Sequence, residues 1–349
     1  MSTLRSFLAI VIVAFFPSWV WAGQIVVFGD SLSDVGNVYA DSIALGLTPD
    51  PPTPPYYAGR MSNGPIWVDY LADAMNVPRA EASQQGTGGT GYAYAGSAIG
   101  PGTRLRNSIA IPGQVQPVSN TGKQIDDFLA ASAGNRFSPD QMVLFWGGAQ
   151  NLLQATLTGS VASGLAAVAA TLSEFELELR KLDANGAQRV VVPNQIDAST
   201  APFFNGYGPT LPAGTQPLLA FLTVAFNTQL DALLTGLMAD PTLQMQLFPV
   251  DMFGLLKSVE ANPSAFGFTN ATTPAFIPGF GQVANPAGYV FWDPIHPTTE
   301  VHQLMAAATY HAAVPLPGTL PLLVLAIGLL AAGRGGARRP RAKGVPAGA

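Results

Sequence analysis

Short apolar runs alternate with longer amphipathic segments along the chain. The apolar runs end at turn-forming residues and predict buried strands over residues 24–28, 142–146, 189–192 and 245–250. The longer segments repeat apolar side chains every three to four positions and predict helices over residues 66–75, 122–131, 162–182, 218–238 and 298–313. Because strands alternate with helices, the pattern favours a mostly parallel sheet with helices on both faces. The predicted fold class is α/β, as a three-layer α/β/α sandwich.

The N-terminal segment, residues 1–22, predicts an export signal. Arg5 supplies positive charge, residues 7–16 form an apolar core, and residues 20–22 have the small-x-small spacing of a cleavage site. We expect cleavage after Ala22. A membrane anchor is the alternative, but the apolar core is shorter than the roughly 20 residues that span a bilayer.

The C-terminal segment, residues 314–349, predicts a membrane-associated tail. Residues 319–332 are almost wholly apolar, and a cluster of arginines and one lysine follows them. An apolar stretch with a basic flank is typical of a segment held with its basic end in the cytoplasm. Residues 314–320 with this tail resemble the PEP-CTERM sorting signal of Gram-negative bacteria, although Leu316 replaces its usual glutamate. That resemblance implies an exosortase-like processing enzyme as a partner. Between the two terminal segments, residues 23–313 are predicted to form the folded domain.

Composition excludes several classes of protein. The 349-residue chain contains no cysteine, which excludes disulfides, thiolate metal sites and a cysteine nucleophile. Charged residues make up only 11%. The two terminal segments carry six basic residues and no acids, so the central domain holds 10 basic and 21 acidic residues, a net charge of −11. Such a domain is not a nucleic-acid-binding protein, and we expect any membrane association to rest on the tail.

Two short segments at opposite ends of the domain contain a candidate nucleophile and its base. Ser31 directly follows the first predicted strand, where a glycine turn can expose a hydroxyl group. Asp293 precedes His296 by three residues, with Pro294 between them. A serine hydroxyl needs a base to remove its proton, and that base needs a carboxylate to fix its tautomer. The alternatives are that Ser31 caps a helix and that His296 is structural.

These segments resemble the conserved blocks of a known enzyme family. Residues 28–37 (Phe-Gly-Asp-Ser-Leu-Ser-Asp-Val-Gly-Asn) resemble the first block of the GDSL, or SGNH, family of serine esterases and lipases. Residues 293–297 resemble its last block, and residues 59–67 and 91–98 resemble its intermediate blocks in the expected order. The resemblance implies the flavodoxin-like SGNH hydrolase fold. It also implies ester hydrolysis without a cofactor or metal.

The same resemblance assigns roles to individual residues. It implies an acyl-enzyme on Ser31, with His296 as the base and Asp293 as the residue that orients it. The backbone amides of Ser31 and Gly96 are then candidates for the oxyanion hole.

A third oxyanion donor in the family is an asparagine side chain in a Gly-x-Asn-Asp segment. The matching residues 147–151 read Gly-Gly-Ala-Gln-Asn. An ungapped match places Gln150 at the position of the asparagine and Asn151 one step later. Either side chain could donate, and the alternative is that the third donor is lost and turnover is reduced.

The leading functional prediction is an exported serine hydrolase that cleaves a lipid, acetylated polysaccharide or aryl ester. Phe203, Phe204 and Tyr207 follow a predicted strand and are candidates for an apolar pocket wall. The proline-rich residues 48–57 are expected to form a surface loop near the site. The alternative function is a surface-displayed binding or matrix protein with weakened catalysis on the same fold.

Overall fold

The computed structural model describes residues 23–85 and 88–314, so the predicted export signal and nearly all of the predicted tail lie outside the described residues. Among the described residues, the central sheet has four strands, and the other six strands form three separate pairs. The strands, in chain order, are β1 Gln24–Gly29, β2 Thr103–Asn107, β3 Val115–Ser119, β4 Gln141–Trp146, β5 Arg189–Pro193, β6 Gln246–Val250, β7 Asn270–Pro274, β8 Phe276–Ile277, β9 Gly281–Gln282 and β10 Tyr289–Phe291.

The central sheet is parallel throughout, in the order β1-β4-β5-β6. Residues 90–94 extend it beyond β1, because the Val27 N–H donates to Thr90 O at 2.9 Å and the Tyr92 N–H donates to Val27 O at 2.8 Å. The chain therefore goes from β1 to a neighbour on one side and later to β4 on the other. Ligands of open α/β sheets bind at the carboxyl ends of strands where the order switches in this way.

Helices cover both faces of the sheet. Alternate β1 residues point to opposite layers: Ile25 and Val27 pack against one set of helices, and Val26 and Phe28 against the other. The first layer contains α2 Trp67–Met75, α7 Met252–Ala261 and α8 Thr299–Ala313. The second contains α3 Thr121–Ala131, α4 Ala149–Thr156, α5 Val161–Ala184 and α6 Thr215–Met238. This arrangement confirms the predicted three-layer α/β fold class.

All nine predicted strands and helices are present, with bounds shifted by no more than a few residues. The apolar pattern did not predict three short helices, namely α1 Asn37–Ala44, α4 and α7, or the antiparallel hairpin of β2 and β3. α1 and α4 have eight residues each, about two turns, and carry polar side chains among few apolar ones, so no apolar stripe marks them. The hairpin carries Arg104 and Arg106 on the face that a half-buried strand would make apolar.

Candidate active site

Ser31 lies on a tight turn at the carboxyl end of β1. The backbone of Gly29 has a φ of +150°, and a Cβ atom there would lie 2.1 Å from the carbonyl oxygen of Trp146. The turn is closed by a hydrogen bond from the Ser33 N–H to Asp30 O at 3.1 Å. Asp30 and Ser33 are buried while Ser31 is partly exposed. The glycine thus lets β1 and β4 approach closely and leaves the serine at the open edge of the sheet.

Asp293 and His296 form a buried pair on the loop between β10 and α8. The Nδ1 atom of His296 lies 2.7 Å from Asp293 Oδ2. Asp293 Oδ1 accepts backbone N–H groups from Ile295 at 2.9 Å and from His296 at 2.8 Å. Burial alone would raise the pKa of Asp293, but the neighbouring His296 and these hydrogen bonds outweigh it and hold the pKa below its ordinary value. A proton on Nδ1 faces the carboxylate and leaves Nε2 free to accept another.

Tyr56 is a second hydrogen-bond partner of Asp293 and was not predicted. Its hydroxyl donates to Asp293 Oδ2 at 2.7 Å. The ring is only 2% exposed and packs edge-on against Trp292 and Phe276. Burial and the adjacent Asp293 carboxylate raise the pKa of Tyr56 well above its ordinary value, so it remains a donor. The predicted surface loop 48–57 therefore contributes a buried residue to the site.

The block at residues 59–67 supports the histidine loop. The Ser62 hydroxyl donates to Pro297 O at 3.0 Å, and Asn63 Oδ1 accepts the Thr299 N–H at 2.9 Å. Both contacts are made to the segment that leads into α8, directly after the histidine. They hold the backbone that directly follows His296.

Asp34 connects the serine turn to the loop that contains Gly96. Its Oδ1 accepts the Asn37 N–H at 2.7 Å at the start of α1, and its Oδ2 accepts the Ala95 N–H at 2.9 Å. Gly96 has a φ of +82°, which favours glycine, and it packs against Arg106. The Asp34 carboxylate thus accepts an N–H at the start of α1 and also positions the candidate oxyanion loop.

One cavity of about 640 Å³ is lined by Ser31, Gly96, Gln150 and His296. Much of its remaining wall is apolar, and it includes Leu153, Phe203, Phe204, Tyr207, Ile277 and Phe280. The prediction that the segment after β5 supplies aromatic wall residues is therefore correct. Within the described ranges, no hydrogen bond joins Ser31 Oγ to His296 Nε2. Such catalytic contacts often form only when substrate is bound.

The family model described as GDSL-like Lipase/Acylhydrolase matches residues 25–309. The chain belongs to this family. It is 28% identical over 333 residues to the phosphatidylcholine-sterol acyltransferase of Aeromonas hydrophila, a match covering 82% of this chain and 89% of that protein. It is 27% identical over 320 residues to a GDSL esterase/lipase of Arabidopsis thaliana, covering 80% and 84%. The protein is therefore a carboxylic ester hydrolase of the GDSL family.

The two amides considered as a third oxyanion donor have different surroundings in this GDSL hydrolase. Gln150 lies in the first turn of α4 and lines the cavity. Asn151 instead holds the backbone of Ile99: its Oδ1 accepts the Ile99 N–H at 2.8 Å, and its Nδ2 donates to Ile99 O at 3.2 Å. Both polar atoms of Asn151 contact the backbone of Ile99, and of the two residues only Gln150 is among the described residues that line the cavity, so Gln150 is the candidate donor.

Gln124, on α3, is a further polar residue that the sequence did not single out. Its Nε2 donates to Gly29 O at 2.9 Å, to Ser97 Oγ at 3.0 Å and to Ser119 O at 2.9 Å, while its Oε1 accepts the Gly29 N–H at 2.9 Å. The side chain is fully buried. It joins the end of β1 to the loop after Gly96, so the serine turn and the oxyanion loop share one support.

Asp30 lies in the turn beside Ser31, and its carboxyl group is buried. Its Oδ1 accepts the Leu32 N–H at 3.1 Å, whereas Oδ2 has no hydrogen-bond partner among the described residues. Burial raises the pKa of Asp30 to about 6, against the opposing effects of the Leu32 N–H and the charge of His296. The carboxyl group therefore changes charge close to neutral pH.

Proposed function

We propose that this protein is an exported serine esterase or lipase that forms an acyl-enzyme on Ser31, with His296 as the base and Asp293 as its orienting carboxylate. The observation that carries the proposal is the geometry of a single cavity. The partly exposed Ser31 and the imidazole of His296 both border it, and Asp293 Oδ2 contacts His296 Nδ1 at 2.7 Å. Membership of a family of esterases and lipases supports the same chemistry.

In the first half of the proposed reaction, Ser31 Oγ attacks the carbonyl carbon of the ester and His296 Nε2 takes the hydroxyl proton. The lowered pKa of Asp293 keeps this carboxylate ionised beside the imidazolium. The backbone N–H groups of Ser31 and Gly96, with the amide of Gln150, stabilise the oxyanion. His296 then protonates the leaving alcohol as the carbon–oxygen bond breaks.

In the second half, water replaces the alcohol. His296 removes a proton from the water, the resulting hydroxide attacks the acyl carbon, and the proton is returned to Ser31 Oγ as the acid leaves. No group outside this chain is needed for the proton balance.

We propose acyl lipids as the substrate class. The apolar walls of the cavity suit a hydrocarbon chain, whereas an acetyl group on a polysaccharide would leave most of about 640 Å³ unfilled. The Aeromonas relative is named for phosphatidylcholine and sterol, which supports a lipid acyl ester. Acetylated polysaccharides and aryl esters remain alternative substrates.

We further propose that residues 1–22 direct export and that the tail at residues 314–349 attaches the protein to a membrane until an exosortase-like enzyme processes it. The observations that support this are the two apolar segments and the basic cluster after the second. N-terminal sequencing of exported protein should begin at Gly23. Retention of Met1 in protein recovered from the periplasm or medium would contradict a cleaved signal.

The catalytic proposal is tested with a fluorophosphonate, which reacts with activated serine hydroxyls. We expect peptide mapping to locate the adduct on Ser31, and hydrolysis of p-nitrophenyl butyrate to stop as labelling proceeds. Ser31→Ala should remove both labelling and activity while preserving the circular dichroism spectrum. Labelling at a different serine, or near wild-type turnover in Ser31→Ala, would remove Ser31 from the mechanism. Absence of turnover in the wild type would favour the binding or matrix alternative.

A further inference from the structure

The cavity wall contains two arginines, Arg104 and Arg106, that the proposed reaction does not use. Arg104 lies on β2 and lines the cavity. Its Nη1 atom donates to the carbonyl oxygen of Gly96 at 2.6 Å. Arg106 lies two residues along the same strand, but its charge is neutralised by the buried Asp50 carboxylate at 2.6 Å. The two arginines therefore have different electrostatic surroundings.

Within residues 23–85 and 88–314, no carboxylate lies within ion-pair distance of Arg104. A guanidinium group has five N–H donors, and the Gly96 carbonyl occupies only one side of it. Partial burial lowers the pKa of Arg104, with no opposing contribution from an acidic neighbour. Asp30 lines the same cavity but is not within ion-pair distance of Arg104, and the charge of His296 lowers the pKa of its carboxyl group. Arg104 is thus a half-buried cation without a counterion, beside an apolar cavity.

Arg104 contacts a residue of the proposed oxyanion hole, Gly96. Gly96 supplies the carbonyl that Arg104 holds, and the N–H of the same residue is a candidate donor to the oxyanion. Arg104 and Ser31 line the same cavity, so an anionic group bound to Arg104 and an ester at Ser31 can belong to one ligand. The domain as a whole is acidic, so its long-range field would not attract an anion, and a local cation is needed.

We propose that Arg104 binds the phosphodiester of a glycerophospholipid whose acyl ester is attacked by Ser31. In such a lipid, one glycerol unit separates the phosphate from the ester, and the acyl chain would occupy the apolar wall. Arginine matches phosphate oxygens with two parallel N–H donors, which suits it to this role better than a neutral side chain. This inference rests on the proposed function and specifies the substrate of the same site.

The test compares two monomeric esters that differ only in the phosphate-containing group, dibutyroylphosphatidylcholine and dibutyroylglycerol. Arg104→Gln should lower kcat/KM for the phospholipid about ten- to hundredfold more than for the diacylglycerol, because a charge-assisted hydrogen bond is lost only with the former. The additional loss should be mainly in KM. Arg104→Lys, which retains the charge, should recover part of it. Arg180→Gln on α5 removes the same charge far from the cavity and should leave the ratio unchanged.

A contact with Gly96 alone predicts a different result. If Arg104 only positions the oxyanion loop, Arg104→Gln will lower turnover of both esters by the same factor, and the inference is overturned. A wild-type enzyme that hydrolyses the diacylglycerol but not the phospholipid would overturn it as well while leaving the proposed function intact. Failure to hydrolyse either ester or p-nitrophenyl butyrate would instead contradict the proposed function.

A second measurement uses only the wild-type protein and so does not depend on the folding of a variant. Hexylphosphocholine carries the phosphodiester but no carboxylic ester. It should inhibit hydrolysis of p-nitrophenyl butyrate competitively, at a concentration at least about tenfold lower than hexanol. Equal inhibition by the two compounds would mean that the phosphate group does not increase affinity for the site, and would overturn the inference.

Discussion

The Tyr56 hydroxyl and the His296 Nδ1 atom both contact Asp293 Oδ2, each at 2.7 Å. One carboxylate oxygen therefore receives two donors, while the other accepts backbone N–H groups. This leaves the carboxylate no freedom to rotate away from the imidazole. A side chain from a loop distant in sequence thus determines how firmly the histidine is oriented.

This contact predicts the effect of Tyr56→Phe. Phenylalanine keeps the ring packing against Trp292 but removes one donor to Asp293, so we expect kcat for p-nitrophenyl butyrate to fall about tenfold with little change in KM. Tyr57→Phe is the matched control, because Tyr57 is 39% exposed and does not contact the carboxylate. Unchanged kcat in Tyr56→Phe would mean that the backbone N–H groups alone fix Asp293.

The three histidines of the chain should respond differently to substitution. His296→Ala should lower kcat by a factor of about 10⁴ or more, because His296 is the one histidine among the described residues that line the cavity with Ser31. His311 is exposed on α8, so His311→Ala should be silent. His302 is 1% exposed, and burial lowers its pKa to about 3, so His302→Ala should reduce stability rather than kcat. Kinetics combined with thermal unfolding separates these outcomes, and equal catalytic losses at all three would argue against His296 as the base.

Substitutions of Gln150 and Asn151 should likewise have different effects, one on catalysis and the other on stability. Gln150→Ala is expected to lower kcat about a hundredfold at nearly constant KM, because an oxyanion donor acts in the transition state. Asn151→Ala removes two hydrogen bonds to the backbone of Ile99 and should lower the free energy of unfolding by about 1–3 kcal/mol. Steady-state kinetics and urea denaturation of both variants test this pair. Loss of kcat at Asn151 without loss of stability would reverse the assignment.

The sequence predicted the strands and site residues that are marked by a pattern of neighbouring residues. Apolar runs located β1 and β4, and a family motif located Ser31 and His296. Tyr56 could not be found in this way, because its partner Asp293 is 237 positions away and nothing in a proline-rich loop marks one tyrosine as buried. Gln124 was missed for a related reason, since a polar residue on a buried helix face has meaning only when its distant backbone partners are known. The sequence left Gln150 and Asn151 as alternatives because only the start of α4 determines which side chain faces the cavity.

Glu178 carries a prediction about stability and pH. It lies on the buried face of α5, where its oxygens accept the Thr121 hydroxyl at 2.6 Å and the Gly100 N–H at 3.0 Å. Burial raises the pKa of Glu178 to about 8 from an ordinary value of 4.5, and the two hydrogen bonds only partly oppose this effect. The folded protein therefore binds a proton more tightly than the unfolded chain does. The stability from this group is complete below the unfolded pKa and is lost as pH rises through the folded pKa.

Glu178→Gln should remove this dependence, because the amide is neutral at every pH and can still accept the Gly100 N–H. Between about pH 5 and pH 9, the unfolding free energy of the wild type should fall relative to that of the variant by more than about 1 kcal/mol. Urea denaturation at both pH values measures the difference and cancels other titrating groups common to the two proteins. Glu176→Gln, on the same helix but at the surface beside Arg180, is the control and should show no such trend. A constant difference between wild type and Glu178→Gln would mean that Glu178 is ionised in the folded protein, held by Thr121 and Gly100.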